Sequence, residues 1–114
     1  MLTSLAQTSE RIDSLEGVLN REPPPVDTAK VTILNKLCTA YRGNDEDKAI
    51  TYGKAALELA SAISDYKGMA SSMNTIGGIY KDLGSYDMAL DNYQRSIQIY
   101  KQLGDKLGMA RVYS

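Results

Sequence analysis

The chain has 114 residues, enough for one small domain, and 43% of them are hydrophobic, enough for a packed core. Its 13 Lys and Arg nearly balance its 14 Asp and Glu, so a net charge of −1 indicates neither a nucleic-acid nor an anionic-membrane partner. There is no His and only one Cys, so the usual nucleophile–base pairs and metal clusters cannot be assembled. The composition therefore argues against an enzyme, a metal site and a cofactor.

A first helix is predicted over residues 1–22. Its apolar residues recur at helical spacing between polar ones: Leu5, Ile12, Leu15 and Leu19. The proline run at 23–25 is predicted to end this helix, because proline removes a backbone donor, and we assign 23–27 as a linker. The apolar strip has two interpretations. It is either a cap over the helices that follow or a strip for partner binding or dimerisation.

A second helix is predicted to begin near Asp27 or Thr28, either of which can cap its free amides. One stripe of this helix carries Leu34, Leu37, Cys38 and Tyr41. Cys38 thus holds a packing position, where cysteine acts as a small hydrophobe rather than a redox group. After a turn at 42–45, Asp45 is predicted to cap a third helix over 46–63, with Ala49 on its apolar face.

Two further helices are predicted over 66–83 and 86–103, the second capped by Ser85. The stripe of the fourth helix is Met73, Ile76, Gly77 and Tyr80, and the fifth helix carries Ala89 and Tyr93. Because Gly77 and Ala89 are small, they allow the two helix backbones to approach closely. Gly104 is predicted to end the fifth helix in the left-handed conformation, and Asp105 to cap a sixth.

The sequence nearly repeats itself at a fixed offset. Asp65, Gly68, Met69 and Ala70 return 40 positions later as Asp105, Gly108, Met109 and Ala110. The stripe of the second helix returns in the fourth after 39 positions, and the offset becomes 40 at Ala49 and Ala89 because the first turn is one residue shorter. Gly53 stands where the later unit has Tyr93. Such a period is typical of helical repeat arrays, whose units bury their apolar faces by stacking. We therefore divide the chain into a first unit at 28–65, a second at 66–104 and the start of a third at 105–114.

The spacing of these stripe residues resembles the tetratricopeptide repeat, with Met73 at the position where that family usually has tryptophan. The period of 40 residues is longer than the usual ~34, and Gln102-Leu103-Gly104-Asp105 replaces the usual closing proline. Both departures fit a variety with longer helices. The resemblance implies an all-α fold of antiparallel helix-turn-helix repeats, stacked as a short right-handed solenoid. It also implies a non-catalytic module that binds a protein or peptide.

In this family the first helix of each repeat lines a concave groove. The matching positions here are Thr32, Asn35, Thr39, Arg42, Ser71, Asn74, Gly78, Lys81 and Arg111. The resemblance implies an exposed ladder in which Asn35 lies beside Asn74 and Arg42 beside Lys81. Asparagine can bond to an extended backbone, and Arg and Lys can bind carboxylates. The alternative is an ordinary polar face without a ligand.

Short motifs resemble the N-terminal repeat regions of bacterial signalling proteins that carry a histidine kinase or nucleotide cyclase domain. They are Ile12-Asp13-Ser14-Leu15, Asp27-Thr28-Ala29-Lys30-Val31, Asp47-Lys48-Ala49-Ile50 and Leu103-Gly104-Asp105-Lys106. This resemblance implies a sensory piece of a longer membrane-bound protein, on either side of the membrane. The chain itself has no apolar run of ~20 residues and is expected to make no membrane contact.

The alternative function is a self-assembly scaffold. The third unit brings Met109 and Tyr113 but lacks the residues that would match Ile76, Gly77 and Tyr80, so we expect it to leave an apolar end open. The expected contact includes Met109 and Tyr113. Burying apolar surface is favourable, and a second copy of the chain can supply the missing cover. We therefore expect self-association, as a dimer.

Overall fold

The described residues form six α-helices and no strand. A computed structural model describes the backbone of residues 2–21 and 26–114, with side chains from residue 7 onward within those ranges. The helices are α1 (Leu2–Leu19), α2 (Asp27–Tyr41), α3 (Glu46–Ala62), α4 (Tyr66–Asp82), α5 (Tyr86–Leu103) and α6 (Lys106–Tyr113). Each helix packs on the next, and α2 also packs on α4. The all-α prediction is confirmed, and this packing is that of a helical-repeat solenoid.

The predicted helix boundaries agree with the structure to within a few residues. α3 and α4 each end one residue earlier than predicted, and α1 ends at Leu19 rather than at residue 22. The proline run at 23–25 lies outside the described residues, as does the side chain of Leu5. The prediction that these prolines stop the first helix therefore stays a prediction.

The predicted stripes form the core. Nine of the eleven predicted structural positions are buried: Leu34, Leu37, Cys38, Tyr41, Ala49, Met73, Ile76, Gly77 and Ala89. The other two, Tyr80 and Tyr93, are half-buried. Burial raises the pKa of the Cys38 thiol to about 12, so this cysteine stays a protonated packing group.

The helix α1 packs over the first repeat through apolar contacts and one polar cluster. Ile12 is 6% exposed and joins the same core cluster as Leu37. The carboxylate of Glu16 accepts a hydrogen bond of 2.8 Å from the Tyr52 hydroxyl, and the Tyr52 ring stacks on Tyr41 at 5.6 Å. Burial, and then the hydrogen bond to Glu16, raise the pKa of Tyr52 to about 12. Tyr52 thus contacts α1. The neighbouring Gly53 has no side chain, and the space that a Cβ would fill is occupied by Cys38 and Ile76.

An aspartate occupies the N-cap position just before α3, α4 and α6, and its side chain caps a backbone amide of that helix. Asp45, Asp65 and Asp105 accept hydrogen bonds from the amides of Lys48, Gly68 and Gly108 at 3.1, 3.0 and 2.9 Å. The predicted caps at Asp45 and Asp105 are therefore confirmed.

The predicted cap of α2 is wrong, because Val26 precedes α2 and neither Asp27 nor Thr28 occupies its N-cap position. Ser85 occupies the N-cap position of α5 as predicted, but its side chain makes no capping hydrogen bond. The predicted end of α5 is confirmed, because Gly104 has a φ of +68°, the left-handed conformation that glycine adopts without steric cost. Ser64 holds the equivalent position after α3 with a φ of +57°.

Candidate partner-binding groove

Two cavities lie side by side along the face formed by α2, α4 and α6. The first has a volume of about 350 Å³ and the second about 460 Å³, and Thr39 and Arg111 line both. We call the two together the inner groove. Eight of the nine predicted concave-face residues line it: Thr32, Asn35, Thr39, Arg42, Ser71, Asn74, Lys81 and Arg111. The structure therefore brings these residues to one surface.

Asn35 lies in the floor of the inner groove rather than on an exposed ladder. It is 9% exposed, its Nδ2 donates to the carbonyl oxygen of Gly68 at 3.3 Å, and its Oδ1 accepts from the Ser72 hydroxyl at 2.6 Å. The prediction of an exposed Asn35 is wrong, because α2 and α4 are close enough here for the amide to join them. Its partners on α4 are Gly68 and Ser72, which precede Asn74 in the chain.

Gly78 is buried and does not contribute an exposed surface. The Arg42 guanidinium covers it so closely that a Cβ at this position would collide with that group. Arg42 donates from Nε to Oδ2 of Asp82 at 2.7 Å and from Nη2 to Oδ1 at 3.3 Å. These hydrogen bonds hold the pKa of the Asp82 carboxyl below its usual value. Gly78 is therefore not the exposed position that the ladder implied, and Arg42 joins the two repeats through Asp82. Their part in partner binding stays a prediction.

The hydroxyl groups of the inner groove differ in what they can offer a ligand. Thr32 and Thr39 donate to the carbonyl oxygens of Thr28 and Asn35 in their own helix, at 3.2 and 3.1 Å. Their hydroxyl protons are engaged, so they present oxygen acceptors to the groove. The Ser71 hydroxyl makes no hydrogen bond within the described part of the chain, and it is half-buried. Ser71 can therefore donate as well as accept.

Three cationic residues of the first cavity were missed by the sequence analysis: Arg11, Lys36 and Lys67. Lys36 lies four positions after Thr32, so helical spacing alone could have placed it on the groove face. Arg11 belongs to α1, outside the repeated units, where no repeat register indicates which side chains face the groove. Lys67 is the second residue of α4, and its Nζ lies 4.0 Å from the Asp105 carboxylate.

The stacked helical pairs and the groove along one face define a helical-repeat scaffold. Within that class, the family model of the tetratricopeptide repeat matches residues 30–113, and the chain belongs to this family. Repeats of this family generally mediate protein–protein interaction and are typically non-catalytic. No curated protein shows significant similarity to the chain.

Across the described residues, no helix is both long and apolar enough to cross a membrane. Within the same part of the chain, no group of three or more His, Cys, Asp or Glu side chains is arranged to hold a metal ion.

Proposed function

We propose that the chain is a module that binds an extended segment of a partner protein in the inner groove. The observation that supports this is the pair of adjoining cavities on the inner face of the array. Polar groups there retain unused hydrogen-bonding capacity: Ser71 has no partner within the described residues, and Lys81 is exposed. A partner backbone needs such donors and acceptors, because unpaired polar groups are costly to bury.

The double variant Asn74→Ala with Lys81→Ala is expected to bind a groove partner about 5- to 30-fold more weakly, as when contacts worth about 1–2 kcal/mol are lost. Its melting temperature should not change, because Asn74 is only half-buried and Lys81 is exposed. Partners are to be captured with the unaltered protein, and their affinities measured by titration calorimetry.

Lys54→Ala is the matched control, because Lys54 is exposed on α3 and lines neither cavity of the groove. This variant should bind like the unaltered protein. A captured partner whose affinity is the same for all three proteins would show that binding occurs on another surface.

We infer further that the module is the sensory or regulatory part of a larger bacterial signalling protein. The short motifs at 12–15, 27–31, 47–50 and 103–106 support this context, beyond the family match. The full-length gene sequence tests it. A histidine kinase or cyclase domain in the same gene would support the context, and a gene without a signalling output domain would remove it.

Self-assembly is the second candidate function, and exposed apolar side chains around α6 favour it. Leu107 and Tyr113 are 65% and 71% exposed, and Tyr113 lines a shallow cavity with Ile97 of α5. We expect a dimer whose contact includes Met109 and Tyr113, since burying this surface gains about 25 cal/mol per Å².

Sedimentation of the protein at about 100 µM detects a dimer whose free energy of association is about −5.5 kcal/mol or more favourable. Tyr113→Ser should then return the protein to a monomer. Tyr86→Ser is the control, because Tyr86 is 68% exposed at the start of α5 and should leave the dimer intact. A monomer of the unaltered protein at this concentration would exclude the scaffold function.

A further inference from the structure

Positive charge is concentrated in the inner groove. Among the described residues, six of the 13 Lys and Arg line its two cavities, against a single Asp or Glu. The six are Arg11, Lys36, Lys67, Arg111, Arg42 and Lys81, and the single acid is Asp65. Because the whole chain carries a net charge of −1, this concentration is a local property of the groove.

Most of this positive charge is not neutralised within the described part of the chain. Arg42 pairs with Asp82, and Lys67 lies 4.0 Å from Asp105. Ion pairs among the described residues involve none of the other four groove cations, Arg11, Lys36, Lys81 and Arg111. The one acidic lining residue, Asp65, accepts the capping hydrogen bond of Gly68. The groove therefore has an electrostatic potential that favours anionic ligands.

We propose that the inner groove selects partner segments rich in Asp and Glu, with Arg11 and Arg111 binding carboxylates in the first cavity. This inference rests on the proposed function and names the chemistry of the partner. Guanidinium groups bind carboxylates through paired charge-assisted hydrogen bonds, which makes arginine well suited to this role. Arg11 comes from α1, so the helix before the matched repeats takes part in partner selection.

The lining of the first cavity favours an acidic peptide over a single-stranded nucleic acid. Proteins that bind single strands stack the bases on exposed aromatic rings. The aromatic residue lining this cavity is Tyr100, which is 3% exposed and packed against Gly108. The other uncharged polar groups here are the hydroxyls of Thr32, Thr39 and Ser71 and the amide of Asn35, which suit a peptide backbone.

The test uses a display library of short random peptides, selected on three immobilised proteins. These are the unaltered chain, the charge-reversal variant Arg11→Glu with Arg111→Glu, and the control Lys54→Glu on α3. All three positions are exposed, so each protein should fold, which circular dichroism verifies. We expect peptides enriched on the unaltered chain and on the control to contain an excess of Asp and Glu. Peptides enriched on the charge-reversal variant should lose that excess or contain an excess of Lys and Arg.

Affinities of individual enriched peptides give a second readout. Arg11→Ala should lower the affinity for an acidic peptide about 2- to 5-fold, the size expected for one exposed charge pair. Added salt should also lower this affinity, since exposed charges are screened over about 10 Å at 0.1 M salt.

The outcomes separate this inference from the proposed function. Peptides that bind in the groove without acidic bias, or with basic bias, overturn the acidic preference and leave the groove as a peptide site. Tighter binding of a short single-stranded DNA than of every enriched peptide overturns the acidic-peptide assignment in favour of nucleic acid. A failure to enrich any peptide on any of the three proteins counts against both this inference and the proposed function.

Discussion

Leu37→Ala is expected to lower the free energy of unfolding by about 2–5 kcal/mol, the cost of deleting a buried leucine side chain and leaving a cavity. Leu37 is 0% exposed, and it belongs to a core cluster that includes Ile12 of α1, Tyr41 of α2 and Ile79 of α4. A cavity at Leu37 therefore weakens three helices together. Domains of this size are stable by only about 5–15 kcal/mol, so the loss is a large share of the total.

Leu90→Ala is the matched control, because it deletes the same atoms from a side chain that is 56% exposed on α5. Its effect should stay within about 0.5 kcal/mol. Urea denaturation followed by circular dichroism compares the two variants at equal protein concentration. Equal midpoints would contradict the placement of Leu37 in the core.

The fold was predictable because the residues that cap and pack the helices recur at a regular spacing in the sequence. The Asp-x-x-Gly motif at Asp65 and Asp105 supplies a carboxylate that caps the first turn of α4 and of α6. The glycine of each motif lies against the helices before it, Gly68 against Val31 and Gly108 against the Tyr100 ring, with no room for a Cβ. One motif thus meets two physical requirements of helix stacking, and its return after 40 residues indicates the repeat.

The groove was predictable in outline but not in the roles of its residues. Helical spacing correctly placed Thr39, Asn35 and Arg42 toward one face. Spacing within one helix does not fix the distance to the next helix, and that distance decides which polar side chains turn inward. Asn35 reaches Gly68 and Ser72, and Arg42 reaches Asp82, because α4 lies beside α2. These inter-helix partners follow from packing and not from the sequence of either helix alone.

Ala89→Leu is expected to destabilise the second repeat by about 1–3 kcal/mol through overpacking. Ala89 is 3% exposed at the contact between α4 and α5. A Cβ placed on Gly77 of α4 would lie 3.3 Å from the Ala89 carbonyl oxygen and 3.0 Å from two ring carbons of Tyr93. The two helix backbones are thus as close as the sequence analysis predicted, and a leucine at position 89 has to push them apart.

Ala62→Leu is the control for this change, because Ala62 is exposed at the end of α3 and the same side chain there meets solvent. Thermal melting should show a lower midpoint for Ala89→Leu and an unchanged midpoint for Ala62→Leu. The groove residues Asn74 and Lys81 project from α4, so a displaced α4 should also weaken groove binding, although Ala89 itself lines neither cavity. A variant that melts like the unaltered protein would show that α4 and α5 do not meet at Gly77 and Ala89, and the repeat packing would have to be abandoned.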